Sequence, residues 1–186
     1  MPGIGSSYFS MFKQMIAGLE AVKTKYVAFA EHDCLYTPEH FKLRPVVEDQ
    51  VNYNINRWHA NWDTGEYTYY RIKVFSQLIS NTKTALTALK ERLDMALDGL
   101  PPYVLSEPGL KDYYEEFKLV KKLWCKKNNR PHFRYRATSL KTKSPNIDIR
   151  HSTNITNAKW IKGRKSVREL PHWGNFKEYT NESRLH

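Results

Sequence analysis

The strongest constraint on the fold of this chain is the run Lys25-Tyr26-Val27-Ala28-Phe29-Ala30-Glu31-His32-Asp33-Cys34, a short apolar stretch that ends in two acids separated by one residue. Tyr26 to Ala30 is too short and too β-prone for a helix and is apolar on both alternating faces, which is how a strand buried on both sides of a parallel sheet reads. Strands of that kind place their C-terminal ends at the ligand edge of α/β sheets. In an extended chain alternate side chains share a face, so Glu31 and Asp33 are predicted to point the same way and His32 the opposite way. Two carboxylates on one face can hold a hard divalent cation, and magnesium and manganese prefer carboxylate, water and substrate phosphate oxygens. The same acids could instead cap a helix begun by Tyr36-Thr37-Pro38-Glu39-His40-Phe41, and an isolated acid-x-acid triplet is weakly specific.

What precedes the strand narrows the reading. Gly3, Gly5, Ser6 and Ser7 form a small-residue turn, after which Tyr8, Phe12, Met15, Ile16, Leu19 and Val22 recur at the spacing of an amphipathic helix with a Ser cap. A glycine-bearing turn, a helix, a buried strand and an acid-x-acid exit resemble the centre of the GT-A glycosyltransferase fold, of the family 2 type, whose acids form the DXD motif. The resemblance implies an α/β, Rossmann-like mixed sheet with flanking helices. It also implies that Glu31 and Asp33 bind manganese or magnesium, which grips the diphosphate of a nucleotide-sugar donor. Glu31 departs from the family's first Asp by one methylene, so direct coordination by Asp33 is the firmer expectation. Ile147-Asp148-Ile149-Arg150-His151 reads as a short strand ending in His, and enzymes of this family often supply a late His to the metal. His151 is the candidate; a surface His beside Arg150 is the alternative. Such domains normally begin with the elements that bind the base and ribose, whereas few residues precede the first helix here. The resemblance therefore implies an N-terminally shortened domain, or one complemented by a separate N-terminal polypeptide.

The whole chain, 1–186, is expected to form one such domain: a metal and diphosphate portion over 1–50, an acceptor-side hairpin and helices over 51–125, and a basic C-terminal segment over 126–186. In the middle portion Val51, Tyr53 and Ile55 alternate with Asn52, Asn54 and Asn56, the mark of a half-buried strand. Asp63-Thr64-Gly65 supplies a turn and Glu66 to Phe75 alternates again, so a hairpin is expected. Most of its aromatics are assigned to packing; Trp58 and Trp62, beside the turn, are the candidates for stacking on a substrate. Leu86, Leu89, Leu93 and Leu97 mark a helix started near Ser80 or Asn81 and stopped by Gly99 and Pro101. A third helix is expected from Ser106-Glu107-Pro108, with Leu110, Tyr114, Phe117, Val120 and Trp124 on one face. Inverting GT-A enzymes carry a catalytic carboxylate at a comparable helix start, which makes Glu107 a candidate base, with Asp112 behind it. An acid in a first turn also stabilises any helix through the macrodipole.

The net charge of +11 favours partners that carry phosphate or other anions. Lys121-Lys122, Lys126-Lys127, Arg130, Arg134 and Arg136 interleave with Trp124, Phe133 and Tyr135, and Lys159, Lys162, Arg164, Lys165 and Arg168 follow. In GT-A enzymes the segment after the late His often closes over the donor, so Lys162, Arg164 or Lys165 could neutralise the leaving diphosphate. The same charges could track a nucleic-acid backbone. Two cysteines without framework spacing, no basic and apolar leader and no long apolar span point to a reducing cytoplasm without a membrane span. The sequons at Asn154 and Asn181 are then chance matches. Zinc ligation by His32, Cys34 and His40 lacks paired-Cys spacing and ranks below manganese or magnesium. The expected function is a metal-dependent glycosyltransferase, or its catalytic and acceptor portion, moving a sugar from a nucleotide-sugar to a hydroxyl acceptor, with DNA one acceptor suggested by charge. The alternative is a non-catalytic nucleic-acid-binding protein on a degenerate glycosyltransferase scaffold.

Overall fold

A computed structural model describes residues 8–45, 47, 49–101, 107–109, 115–132, 135–151 and 166–180. They form an α/β fold of mixed sheets with flanking helices. In chain order the elements are α1 (Tyr8–Ala21), β1 (Tyr26–Ala28), β2 (Cys34–Leu35), α2 (Pro38–Lys42), β3 (Gln50–Asn54), β4 (Arg57–Asn61), β5 (Tyr67–Tyr69) and β6 (Leu78–Asn81). Then follow α3 (Thr82–Leu97), α4 (Glu115–Lys127), β7 (Arg136–Leu140), β8 (Asn146–Arg150), β9 (Ser166–Val167), β10 (Glu169–Leu170), β11 (Gly174–Asn175) and α5 (Lys177–Thr180). The chain divides into two compact units: Met1–Ala28, Arg44–Tyr53 and Leu78–Thr138 make the first, and Phe29–Leu43, Asn54–Gln77 and Ser139–His186 the second.

The first unit is built on helix packing beside a four-stranded sheet of order β1-β6-β3-β7. Phe12, Ile16 and Leu19 share one stripe of α1 and are buried, as the periodicity predicts. α1 packs against α3, whose buried face carries the small Ala85 and Ala88 beside Leu89, so the two helices can approach closely. α3 starts where expected: the Asn81 side chain caps it by accepting from the Lys83 N–H at 3.0 Å. It ends at Gly99, whose φ of +80° favours glycine, with the Gly99 and Leu100 N–H groups donating to the Ala96 and Met95 carbonyls at 3.1 Å each.

β1 differs from its prediction. It is an edge strand antiparallel to β6, with Tyr26 opposite Asn81 and Ala28 opposite Ile79, and its side chains are half-buried. A short run of apolar residues does not distinguish a central strand from an edge strand covered in another way. Here the Lys25 ammonium and the Arg44 guanidinium lie 5.4 and 5.6 Å from the centre of the Tyr26 ring, placing charge at the open edge.

The second unit centres on a five-stranded sheet of order β2-β8-β4-β5-β9, in which β4 and β8 are parallel and the other pairs antiparallel. Its core is Ala60, Tyr67, Ile147, Leu170 and Phe176, with Leu35, Trp58, Ile149, Val167 and Trp173 packed against it. The hairpin at Asp63-Thr64-Gly65 is present, but it joins β4 to β5, and β3 pairs with β6 in the other sheet. The Asn61 side chain accepts from the Asp63 and Thr64 N–H groups at 2.9 and 3.0 Å, and Gly65 takes the φ of +74° that closes the turn. The alternating asparagines are not solvent-facing either: Asn52, Asn54 and Asn56 are all buried. Asn54 and Asn56 are satisfied by Thr142, with Asn54 Nδ2 donating to its hydroxyl at 3.0 Å and Asn56 Nδ2 to its carbonyl at 2.9 Å. Local alternation cannot reveal a partner so distant in sequence.

Candidate functional site

The site is assembled in the second unit, around the turn that leads into β2. The alternation expected of Glu31-His32-Asp33 is replaced by a turn, closed by the Cys34 N–H donating to the Glu31 carbonyl at 3.3 Å. Two further contacts fix it. The Ile149 N–H donates to the Asp33 carbonyl at 2.8 Å, tying the turn to β8. The Glu31 N–H donates to the Tyr36 hydroxyl at 2.9 Å, and that hydroxyl donates to the Ser76 carbonyl at 3.1 Å. The turn therefore achieves by folding back what strand alternation was expected to achieve: ligand atoms of Glu31, Asp33 and Cys34 all lie within 4.8 Å of one another, while His32 is exposed.

Behind the turn lies a buried ionic cluster. Cys34 is paired in register with Asp148 on β8, and parallel pairing sets Asp148 beside His59 on β4. The Asp148 carboxylate accepts from Arg57 Nε at 3.0 Å, from Arg57 Nη2, and from Arg150 Nη2 at 2.6 Å. Arg57 is 1% exposed, so this carboxylate is what makes its burial tolerable. His59 Nε2 faces Arg57 Nη2 at 2.8 Å, Arg150 Nη2 at 3.3 Å and Asp148 Oδ2 at 3.4 Å. The two nearer groups can only donate, which favours a neutral ring accepting at Nε2. The ring lies 4.2 Å from that of Tyr70, over which the Arg57 guanidinium also sits at 5.3 Å.

The electrostatics follow. Burial pushes the Asp148 carboxyl up, but the Arg57 and Arg150 guanidiniums outweigh it and hold the group down at about 2. His59 is lowered, chiefly by burial, and neighbouring Arg57 and Arg150 act in the same direction. Glu31 is raised by loss of water around its carboxyl and by the charges of Asp33 and Asp148, although the residue as a whole is exposed. Burial, with Asp148 next, pushes the Cys34 thiol up to about 12, so Cys34 is a neutral thiol at pH 7. Counting charges, Glu31, Asp33 and Asp148 against Arg57 and Arg150 leave one negative charge, on a turn where two carboxylates meet. A hard divalent cation matches that donor set better than a thiolate-seeking metal.

A second polar group supports the same sheet. Asn146, at the start of β8, accepts from the Thr37 N–H at 3.1 Å and donates to Gln77 Oε1 at 2.7 Å, with His40 Nδ1 at 3.0 Å. Burial lowers His40 to about 4. The Glu39 carboxylate accepts the Lys143 and Ser144 N–H groups at 2.8 and 3.1 Å, anchoring the approach to β8.

The remaining predicted residues are placed as follows. Trp58 is half-buried against Tyr69, a packing role, while Trp62 is 43% exposed, with its backbone N–H donating to the Arg150 carbonyl at 2.9 Å. His151 directly follows β8 but does not join the Glu31, Asp33 and Cys34 grouping. Lys162, Arg164 and Lys165 lie outside the described residues, as do Leu110, Asp112 and Tyr114. Glu107 belongs to the first unit and precedes a turn at Pro108-Gly109, whereas the described part of the third helix starts at Glu115. That turn is tied down by Tyr53, whose hydroxyl donates to the Pro108 carbonyl at 2.8 Å. Both cysteines are free and buried. Tyr36, Arg57 and Asp148 were not singled out from sequence as site residues, and His59 only as one of the aromatic rings of the middle segment. Their signal was present as Arg57-x-His59 and Asp148-x-Arg150, ionisable side chains at period two alternating with Trp58 and Ala60 on β4 and with Ile147 and Ile149 on β8. No protein-family model, curated protein or solved structure matches the chain.

Proposed function

We propose that the chain is a metal-dependent glycosyltransferase of the GT-A type, or the catalytic and acceptor portion of one, using a nucleotide-sugar donor. The observation that carries this reading is the convergence of the Glu31 and Asp33 carboxylates on a turn registered against β8, with two arginines immediately behind it. Glu31 and Asp33 would hold manganese or magnesium. When bound, the cation supplies Lewis-acid stabilisation of the departing diphosphate. Tyr36 holds the Glu31 backbone in place, and Asp148 keeps Arg57 and Arg150 from collapsing onto the two acids of the turn. Lys162, Arg164 and Lys165 are assigned to the leaving diphosphate, and the exposed indole of Trp62 to the acceptor. The net charge of +11 supports a polyanionic acceptor such as DNA.

The test is donor hydrolysis or sugar transfer by the full chain with manganese, repeated with Asp33→Ala. Metal-dependent turnover that disappears in the variant supports the enzyme. Absence of turnover in the parent, together with DNA binding that weakens steeply with salt and is unchanged by Asp33→Ala, would replace it with the nucleic-acid-binding reading.

A further inference from the structure

The helix α4 carries two stripes, and only one of them is used by the fold. Phe117, Lys121 and Trp124, at helical spacing, are buried together with Cys125. Lys121 is neutralised there by Glu91 at 2.9 Å, and the Trp124 indole donates to Asp98 at 2.6 Å. The outward stripe is Leu119, Lys122, Leu123 and Lys126, positions i, i+3, i+4 and i+7, and all four are exposed. Leu119 and Leu123 are 59% and 57% exposed, and Lys127 flanks them.

We propose that this face of the first unit docks on an anionic lipid surface. Leucines in a row are costly to leave in water, and lysines between them would repel an ordinary apolar partner. A bilayer interface accepts both at once: leucines enter the headgroup–acyl boundary while lysine stems lie along it and their ammonium groups meet lipid phosphate. A nucleic acid would use the lysines but gains nothing from leucines, and the exposed stripe offers no aromatic ring for base stacking. Aliphatic residues set between cations thus select lipid over other polyanions. The inference does not depend on the proposed enzyme activity, since it concerns another unit and different residues.

The test is co-sedimentation of the full chain with vesicles of phosphatidylcholine alone or mixed with phosphatidylglycerol, for the parent, Lys122→Glu/Lys126→Glu and Leu119→Ser/Leu123→Ser. All four side chains are solvent-exposed, and unchanged thermal midpoints will show that the variants fold. Binding should require phosphatidylglycerol and weaken with salt. Removing the two lysines should lower affinity by at least about twenty-five-fold, at roughly five-fold per charge, and removing the leucines by about ten-fold or more. Lack of vesicle binding by the parent overturns the proposal. So does full binding by the leucine variant, or a concentration-dependent dimer dispersed by the leucine variant without vesicle binding. The first would leave a generic polyanion patch and the second an interface between copies of this chain.

Discussion

Both units bury charge, and they do so in opposite ways. In the first, Glu91 and Lys121 form a closed pair at 2.9 Å between α3 and α4, each side chain at most 8% exposed and each neutralising the other. In the second, the single carboxylate of Asp148 serves two guanidiniums and faces an imidazole, across two parallel strands and next to an acid turn. A closed pair is a packing solution that two apolar side chains could replace. A shared carboxylate is not, because each cation left behind needs an acceptor. The difference lies in what the buried charge reaches: beside the Asp148 cluster, burial first and then the charges of Asp33 and Asp148 raise Glu31, and burial followed by Asp148 raises Cys34.

The most forceful way to break that contrast is Asp148→Asn. It leaves Arg57 buried and uncompensated, and stability should fall by about 3–5 kcal/mol, read by urea unfolding. A loss below about 1 kcal/mol would mean that the cluster is no more demanding than an ordinary pair.

Acid should act on the second unit next. His40 is lowered from 6.5 to about 4 and His59 is lowered as well, so below pH 6.5 the unfolded chain takes up protons that the folded chain refuses. Stability should therefore decline from pH 6.5 towards 4, by about 3 kcal/mol for His40 alone. Asp148 has the depressed carboxyl: its contribution is present above its ordinary value of 3.8 and is lost as pH falls towards about 2. Thermal midpoints across this range should show both steps, and His40→Gln should flatten the first. An unaltered slope in that variant would remove His40 from the account.

Tyr36→Phe removes one hydroxyl that both accepts from Glu31 and donates to Ser76. It should cost only about 1 kcal/mol of stability, yet loosen the turn enough to weaken manganese affinity in calorimetric titration. Equal manganese affinity in parent and variant would show that Tyr36 is structural only. The smallest effect is expected in the first unit: Glu91→Leu/Lys121→Met should lie within about 1 kcal/mol of the parent, against about 3 kcal/mol for Lys121→Met alone. A double variant as damaged as the single one would erase the distinction between the two kinds of buried charge.

Much of the fold could be read ahead. α1 follows from Phe12, Ile16 and Leu19, and α3 from Leu86, Leu89 and Leu93 at helical spacing with an Asn cap and a Gly stop, all of them local signals. β8 and the turn at Asp63-Thr64-Gly65 were equally legible. The partners of β3 were not, because register between strands far apart in sequence is decided by which faces find cover. Of the candidate site, Glu31 and Asp33 come together as expected, but through a turn held by Tyr36 and Ile149. The arginines behind them lie on β4 and β8, whose parallel pairing no local pattern reveals.

What the sequence determined by itself is α1, α3, β8, the turn at Asp63-Thr64-Gly65 and the acid pair, because helix periodicity, capping residues and the position of two carboxylates after a short apolar run are short-range facts. What only the tertiary structure decided is which strand is an edge, which asparagines are buried and which carboxylate the arginines share. Each of these depends on residues tens of positions apart reaching hydrogen-bond distance, as Arg57 and Asp148 do, and the guanidiniums brought there hold the Asp148 carboxyl down against the effect of burial.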